Sequence, residues 1–358
     1  MLHFLQMLNE TSDKLKKVLA FISLMIIQIC LLLFITLSKN QGIKYNYNPA
    51  SAICMAEFIK LIICIIGFIW NNGNFEEIIS IFYKRKDALI IYSVLAMFYC
   101  INNQMTFISL ELTTPGNVAL IKSITPFLTA VLQCLVNKSI VINLEWIAIL
   151  LVCSGLVITQ WNDCTSSLNL PFTALLVLMF SSSLTAVSSV GNSYILKSSK
   201  ISKTPIMLQN MLLYSFGIIF NLLAYHLDSF GCFYKGGNDV NFFDGYDNIF
   251  AISVVLLNGL IGIAITFVYK YGDAIIKCFA QVLSSIILVI LSALFFDTKF
   301  TIISFCGTIV VFSSSYVYLL IIPNLKKNLQ KLQDNIENND NTTNDRDEKE
   351  KILLLVKK

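Results

Sequence analysis

The chain has 358 residues, of which 56% are hydrophobic and 13% charged. Soluble domains carry about 25% charged residues, so a soluble globular protein is excluded and a chain built for lipid remains. The formal net charge is +4, and no basic, aromatic-studded patch of the nucleic-acid-binding kind accompanies it.

A span needs about 20 mostly apolar residues, because a helix rises about 1.5 Å per residue and the hydrocarbon core is roughly 30 Å thick. Ten stretches qualify: 18–38, 50–70, 88–110, 113–136, 144–161, 171–196, 205–226, 249–269, 274–296 and 300–322. The first is too long for a signal peptide and lacks a small-residue cleavage site, so it is expected to stay. With the N-terminus set in the cytosol, fourteen lysines and arginines flank the cytosolic side and four the far side. The positive-inside rule then puts both termini in the cytosol, which an even number of spans allows. The expected organisation is a cytosolic arm (1–17), a first five-helix repeat (18–161), a lumenal loop (162–170), a second repeat (171–322) and a disordered cytosolic tail (323–358).

Taken in order, span 2 carries Glu57 and Lys60, three apart and so on one helical face, with Lys60 roughly 15 Å deep. They form either a self-neutralising pair against a neighbouring helix or part of a cavity wall. Span 3 holds Asn102, Asn103 and Gln104, three amides splayed about 100° apart that cannot all hide on one packed face. Span 4 follows a tight turn and carries Lys122, then Pro126, Thr129 and Gln133 on the same stripe. Span 6 has Ser181, Thr185, Ser188 and Asn192 at the same spacing, and span 7 has Asn210, Tyr214, Gly217 and Asn221. Span 9 has Lys277, Gln281 and Ser284. Small and polar stripes also serve as packing seams. Lysines inside a span are another matter, since each costs roughly 3 kcal/mol on insertion and most often faces a watery cavity. Lys277 lies close to its helix start, so snorkelling to the headgroups is its competing placement.

Gly116–Lys122 in span 4 resembles Gly272–Lys277 in span 9, and glycines 155 and 307 recur at a similar offset in spans 5 and 10. Five spans per half would make the second half run upside down. The expected fold is therefore all-α and integral to the membrane, with ten transmembrane helices as two inverted five-helix repeats around a central cavity.

Ten cysteines show no metal spacing, and His3 and His226 have no catalytic company. No nucleophile motif or phosphate-cradling loop is present, so neither an enzyme nor a cofactor is expected. Cys164 and Cys232 fall in far-side loops, where a disulfide is chemically permitted. Sequons at Asn9, Asn137 and Asn341 fall on the cytosolic side and are expected to stay unused. The tail carries Glu350–Leu355, which fits either an acidic dileucine sorting pattern or a short helical end.

Several pieces together carry a family resemblance: Met55–Lys60, Asn102–Met105, Leu144–Trp146, Gln209-Asn210 with Tyr214, and above all Lys270–Phe279. Over about 18–323 the chain resembles the nucleotide-sugar transporters of the drug/metabolite transporter superfamily, in the branch with the CMP-sialic acid, UDP-galactose and UDP-N-acetylglucosamine carriers. The resemblance implies an antiporter that exchanges a cytosolic nucleotide sugar for a lumenal nucleoside monophosphate across the Golgi or endoplasmic reticulum membrane. A UDP-sugar is placed ahead of a CMP-sugar. It further implies that Lys122 and Lys277 meet phosphates and that Asn210 and Tyr214 face the nucleotide, with Lys60, Asn102 and Asn103 completing the expected binding set. The partners are thus the nucleotide sugar, the nucleoside monophosphate and the lipid bilayer, without nucleic acid; a homodimer is an allowed assembly. The sequence departs from the family where Pro115–Ile121 replaces a tyrosine-bearing run, and at Ala274, Cys278, Phe216 and Ser193-Tyr194. These positions touch base or sugar in the family, so the identity of the substrate does not transfer. A metabolite or drug exporter of the same fold, and a membrane-embedded structural subunit, are the competing classes.

Overall fold

The protein was analysed as a computed structural model, which describes residues 13–37, 48–71, 73, 76, 86–113, 118, 121–137, 142–159, 172–197, 204–229, 241–295 and 301–328. Regular structure among the described residues is helical throughout: α1 (Asp13–Leu37), α2 (Pro49–Trp70), α3 (Lys86–Leu112), α4 (Thr125–Asn137), α5 (Asn143–Thr159), α6 (Phe172–Lys197), α7 (Ile206–Ser229), α8 (Ile249–Tyr271), α9 (Ala274–Phe295) and α10 (Ile302–Tyr316). Eight helices are long and apolar enough to cross a membrane, while α4 and α5 are shorter. At 13 and 17 residues these two reach about 20 and 26 Å. The exposed side chains include Ile69, Leu135, Phe172 and Ile302. A water-facing surface would not tolerate so much apolar area, but a lipid-facing one requires it.

Short polar side chains define several helix starts. Asn48 Oδ1 accepts from Ala50 N at 2.8 Å, with Pro49 in the first helical position, where its missing N–H costs nothing. Asp273 Oδ1 accepts from Ile276 N at 2.8 Å and opens α9. Thr301 Oγ1 accepts from Ser304 N at 3.1 Å and opens α10.

Two prolines reshape spans that the sequence pattern reads as simple helices. Span 4 was expected to run unbroken from 113 to 136. Instead Ile121 and Lys122 are helical, Ser123 and Ile124 form a turn, and α4 begins at Thr125. Pro126 explains the break: it cannot donate to the Lys122 carbonyl, and its ring collides with that carbonyl. A tighter bond from Ile124 N to Ile121 O, 3.3 Å, bridges the interruption. At the other end of the chain α10 widens into a π turn over Val317–Ile321 and then continues as helix to Asn328. Pro323 sits just beyond the widened turn, which gives its ring room. The ordered chain thus passes the Ile322–Pro323 boundary taken from the sequence. Glu145 and Lys326 close this region, with Nζ 2.8 Å and 2.9 Å from the two carboxylate oxygens.

The packing has an internal regularity. Helix α1 packs on α8 as α6 packs on α3, α1 on α9 as α6 on α4, and α2 on α8 as α7 on α3. The pairs α2 with α7, α4 with α9 and α5 with α10 map onto themselves when each helix is advanced by five. In the α5–α10 seam the two glycines meet: a Cβ on Gly307 would stand 2.6 Å from Thr159 N and 2.8 Å from Gly155 O. Only residues without side chains allow that approach. The loop 162–170, Cys164, Cys232, Asn9, Asn341, Gly116 and residues 329–358 lie outside the described residues.

Candidate functional site

Every helix except α10 contributes to the wall of one cavity of about 630 Å³. Of the residues singled out from the sequence, Lys60, Asn102, Asn103, Lys122, Tyr214 and Lys277 line it. Asn210 does not. It lies behind the wall, 3% exposed, and its Oδ1 accepts from Thr266 Oγ1 at 3.3 Å.

Lys277 occupies the first turn of α9, where Lys277 N donates to Asp273 O. Its side chain is only 6% exposed, and Nζ reaches Ser189 Oγ on α6 at 3.3 Å. The chain therefore turns inward and does not snorkel to the headgroups. A helix N-terminus carries about half a positive charge, so dipole and ammonium act on the same spot. The rest of the Lys270–Phe279 stretch positions that turn. Lys16 and Lys270 stand 5.8 and 5.5 Å from the Tyr271 ring, Gly272 O accepts from Lys197 Nζ, and Phe279 stacks on Tyr318 at 4.3 Å. Lys122 arrives from the segment ahead of α4, just before the Pro126 break, within electrostatic reach of Lys277.

Lys60 and Glu57 form the expected pair, Nζ to Oε1 at 2.7 Å, and they do so inside the cavity wall rather than away from it. Lys60 also lies 5.4 Å from the centre of the Tyr214 ring. A cation over an aromatic face is attracted by the ring quadrupole, which fixes the lysine while leaving its ammonium near the cavity. Asn102 is held in place by two hydroxyls, since Ser181 Oγ and Thr185 Oγ1 donate to its Oδ1 at 3.1 and 2.9 Å.

The polar stripes divide between cavity and seam. Thr185 and Asn192 line the cavity, whereas Ser188 returns its hydrogen bond to Leu184 O within its own helix. On α9, Gln281 lines the cavity but Ser284 is wholly buried and reaches Met25 O on α1 at 3.3 Å. On α4, Thr129 is buried and accepts from Cys278 Sγ, so the stripe beyond Pro126 is packing. Tyr99, Tyr269, Asn258 and Gln28 also line the cavity without having been singled out. A signal for the first three existed. Tyr99 precedes Asn102 by three residues, and Asn258, Gly262, Thr266 and Tyr269 form a stripe on α8. Gln28 Oε1 is buried without a hydrogen-bond partner among the described residues, an unsatisfied acceptor in the wall.

Fold and site together define a polytopic α-helical membrane protein with a basic, amide- and tyrosine-lined internal cavity. The family profile described as nucleotide-sugar transporter matches residues 11–319, and the chain belongs to that family. CMP-sialic acid transporter 1 of Oryza sativa subsp. japonica is 28% identical over 292 residues, covering 80% of this chain and 88% of the relative. CMP-sialic acid transporter 3 of Arabidopsis thaliana is 26% identical over 294 residues, covering 79% and 71%. A solved crystal structure superposes with a TM-score of 0.63 at 14% identity, over 86% of this chain and 98% of the other, and at that identity it speaks for the fold alone.

Proposed function

We propose that this chain exchanges a cytosolic nucleotide sugar for a lumenal nucleoside monophosphate across the Golgi or endoplasmic reticulum membrane, with both termini in the cytosol. The observation that carries the reading is the meeting of Lys122 and Lys277 at one cavity from two different helices. One or two phosphates entering a bilayer must exchange hydration for fixed positive groups, and charge-assisted bonds to lysine supply this. Lys60, Tyr214, Asn102 and Asn103 stand where hydrogen bonds to base and sugar can form, and none needs to react. Asn210 acts one shell out, holding α7 to α8 through Thr266 so that Tyr214 keeps its place.

Ten crossings in two inverted repeats are part of this proposal. Three features support them: helix pairings that repeat every five helices, the Gly155–Gly307 contact, and the matched lysines. Around such an arrangement one half rocks against the other with the site near the midplane.

The test is uptake by proteoliposomes preloaded with UMP, CMP or GMP against a panel of labelled nucleotide sugars. The UDP-sugars expected from the sequence and the CMP-sugar in the relatives' names both belong on that panel. Acceleration by one preloaded monophosphate supports exchange and identifies the base. Uptake of unphosphorylated metabolites, indifferent to preloading, would replace this reading with an exporter.

A further inference from the structure

Among the described residues the cavity wall contains four charged side chains: Lys60, Lys122, Lys277 and Glu57. Three ammonium groups and one carboxylate leave the wall with a formal charge of +2. The carboxylate is the unexpected member. In a site for anions it repels the ligand, yet the fold makes room for it. A Cβ on Gly217 would stand 3.0 Å from Glu57 Oε2, and one on Gly262 would stand 2.6 Å from Lys60 Cε. The Lys60 and Glu57 side chains are 13% and 10% exposed, so neither escapes to the headgroups.

We propose that Glu57 is a specificity-determining residue that sets the charge of the ligand this cavity accepts. The inference rests on the nucleotide-sugar reading. At neutral pH a nucleoside monophosphate carries about −2, because the second ionisation of a phosphate ester lies near 6, and the matching diphosphate carries about −3. A nucleotide sugar carries about −2 as well, from two esterified phosphates or from one phosphate and a sugar carboxylate. Either exchange partner therefore neutralises the wall, while a nucleoside diphosphate leaves a net negative charge inside the bilayer, where uncompensated charge is costly. Without Glu57 the balance would tip the other way and favour the diphosphate. A Glu57 that only eases the insertion of Lys60 would have no such effect on choice.

The test compares CMP with CDP and UMP with UDP as stabilisers of the purified protein against heat, with Kd taken from the dependence of the melting temperature on ligand concentration, since a ligand that binds the native state stabilises it by RT ln(1 + [L]/Kd). Wild type should favour each monophosphate by about tenfold or more. Glu57→Gln makes the wall +3 and should move that ratio toward the diphosphate by about tenfold. Gln281→Glu, on the same wall one turn beyond Lys277, makes it +1 without touching the Glu57–Lys60 pair and should move the ratio the opposite way. If Glu57→Gln does not fold, Glu57→Ala, which also makes the wall +3, carries the same test. A ratio that stays at its wild-type value in each folded variant overturns the role of Glu57 while leaving nucleotide binding intact. A wild type stabilised by none of the four nucleotides overturns both readings.

Discussion

Lys277→Ala separates a binding lysine from a structural one, because the two roles move stability and affinity in different directions. Lys277 is 6% exposed, and among the described residues its ammonium donates to Ser189 Oγ at 3.3 Å. Truncation gives up the packing of a buried stem and one modest bond, while it removes a buried positive charge within electrostatic reach of Lys122. These effects oppose one another, so the empty protein should melt close to the wild-type temperature. Ligand binding should weaken far more. A charge-assisted contact to phosphate is worth about 1.5–3 kcal/mol, which corresponds to roughly ten- to hundredfold in affinity. Lys277→Arg should lose only part of this, because the guanidinium keeps the charge but meets phosphate as a fork and not as a point. The assay is nucleotide exchange in proteoliposomes, normalised to folded protein, alongside melting of the empty carrier. Wild-type exchange per folded Lys277→Ala molecule, combined with a lower melting temperature, would refute the phosphate role.

Three further outcomes are expected. Gly307→Ala places a Cβ 2.6 Å from a backbone nitrogen across the α5–α10 seam, and such overpacking should destabilise the protein by about 1–3 kcal/mol, read as a lower melting temperature in detergent. Pro126→Ala gives the Lys122 carbonyl a donor again and should let α4 extend backwards, raising the melting temperature while turning Lys122 off the cavity and slowing exchange; a higher melting temperature with unchanged exchange would separate the break from function. A reporter fused at Lys358 should read cytosolic and one inserted near Asn238 lumenal, and the reverse pattern would dismiss the proposed orientation.

Periodicity made most of the fold legible, because apolar runs of membrane length leave few alternatives. It failed where a single residue acts on the backbone. The Pro126 break and the π turn before Pro323 leave the hydropathy of their spans unchanged, so no count of apolar residues reveals them. The lysines were legible as candidates because charge in lipid is costly, and Lys60, Lys122 and Lys277 all stand in the cavity wall. The polar stripes were less informative. A hydroxyl side chain buried in a seam and one that faces a cavity share the same spacing, as Ser188 and Thr185 do on α6, and both bond back to their own helix. Asn210 fell on a convincing stripe with Tyr214 and Gly217, yet the rotation of α7 against α8 turns it to Thr266. That rotation depends on side-chain packing between two helices, which neither helix encodes alone.

The regular packing and the irregular site bear on one another. Helix pairings recur every five helices, yet the two lysines that such a repeat would make equivalent are delivered differently. Lys277 rides the first turn of a continuous helix whose start is capped by Asp273, so the helix dipole reinforces its charge. Lys122 stands before a proline break, at the end of one helical piece and ahead of the next, where no such reinforcement is built in. Lys60 has an acidic partner on α2, while the matching face of α7 offers Tyr214 and Gly217. In the exchange proposed above, a symmetric frame would let the two halves trade roles as the cavity opens to one side and then the other. An asymmetric lining gives a ligand with distinct phosphate, base and sugar ends a single way to sit within it. The carrier reading needs both properties, and they come from separate residues: glycines and small side chains in the seams, lysines, amides and tyrosines in the wall.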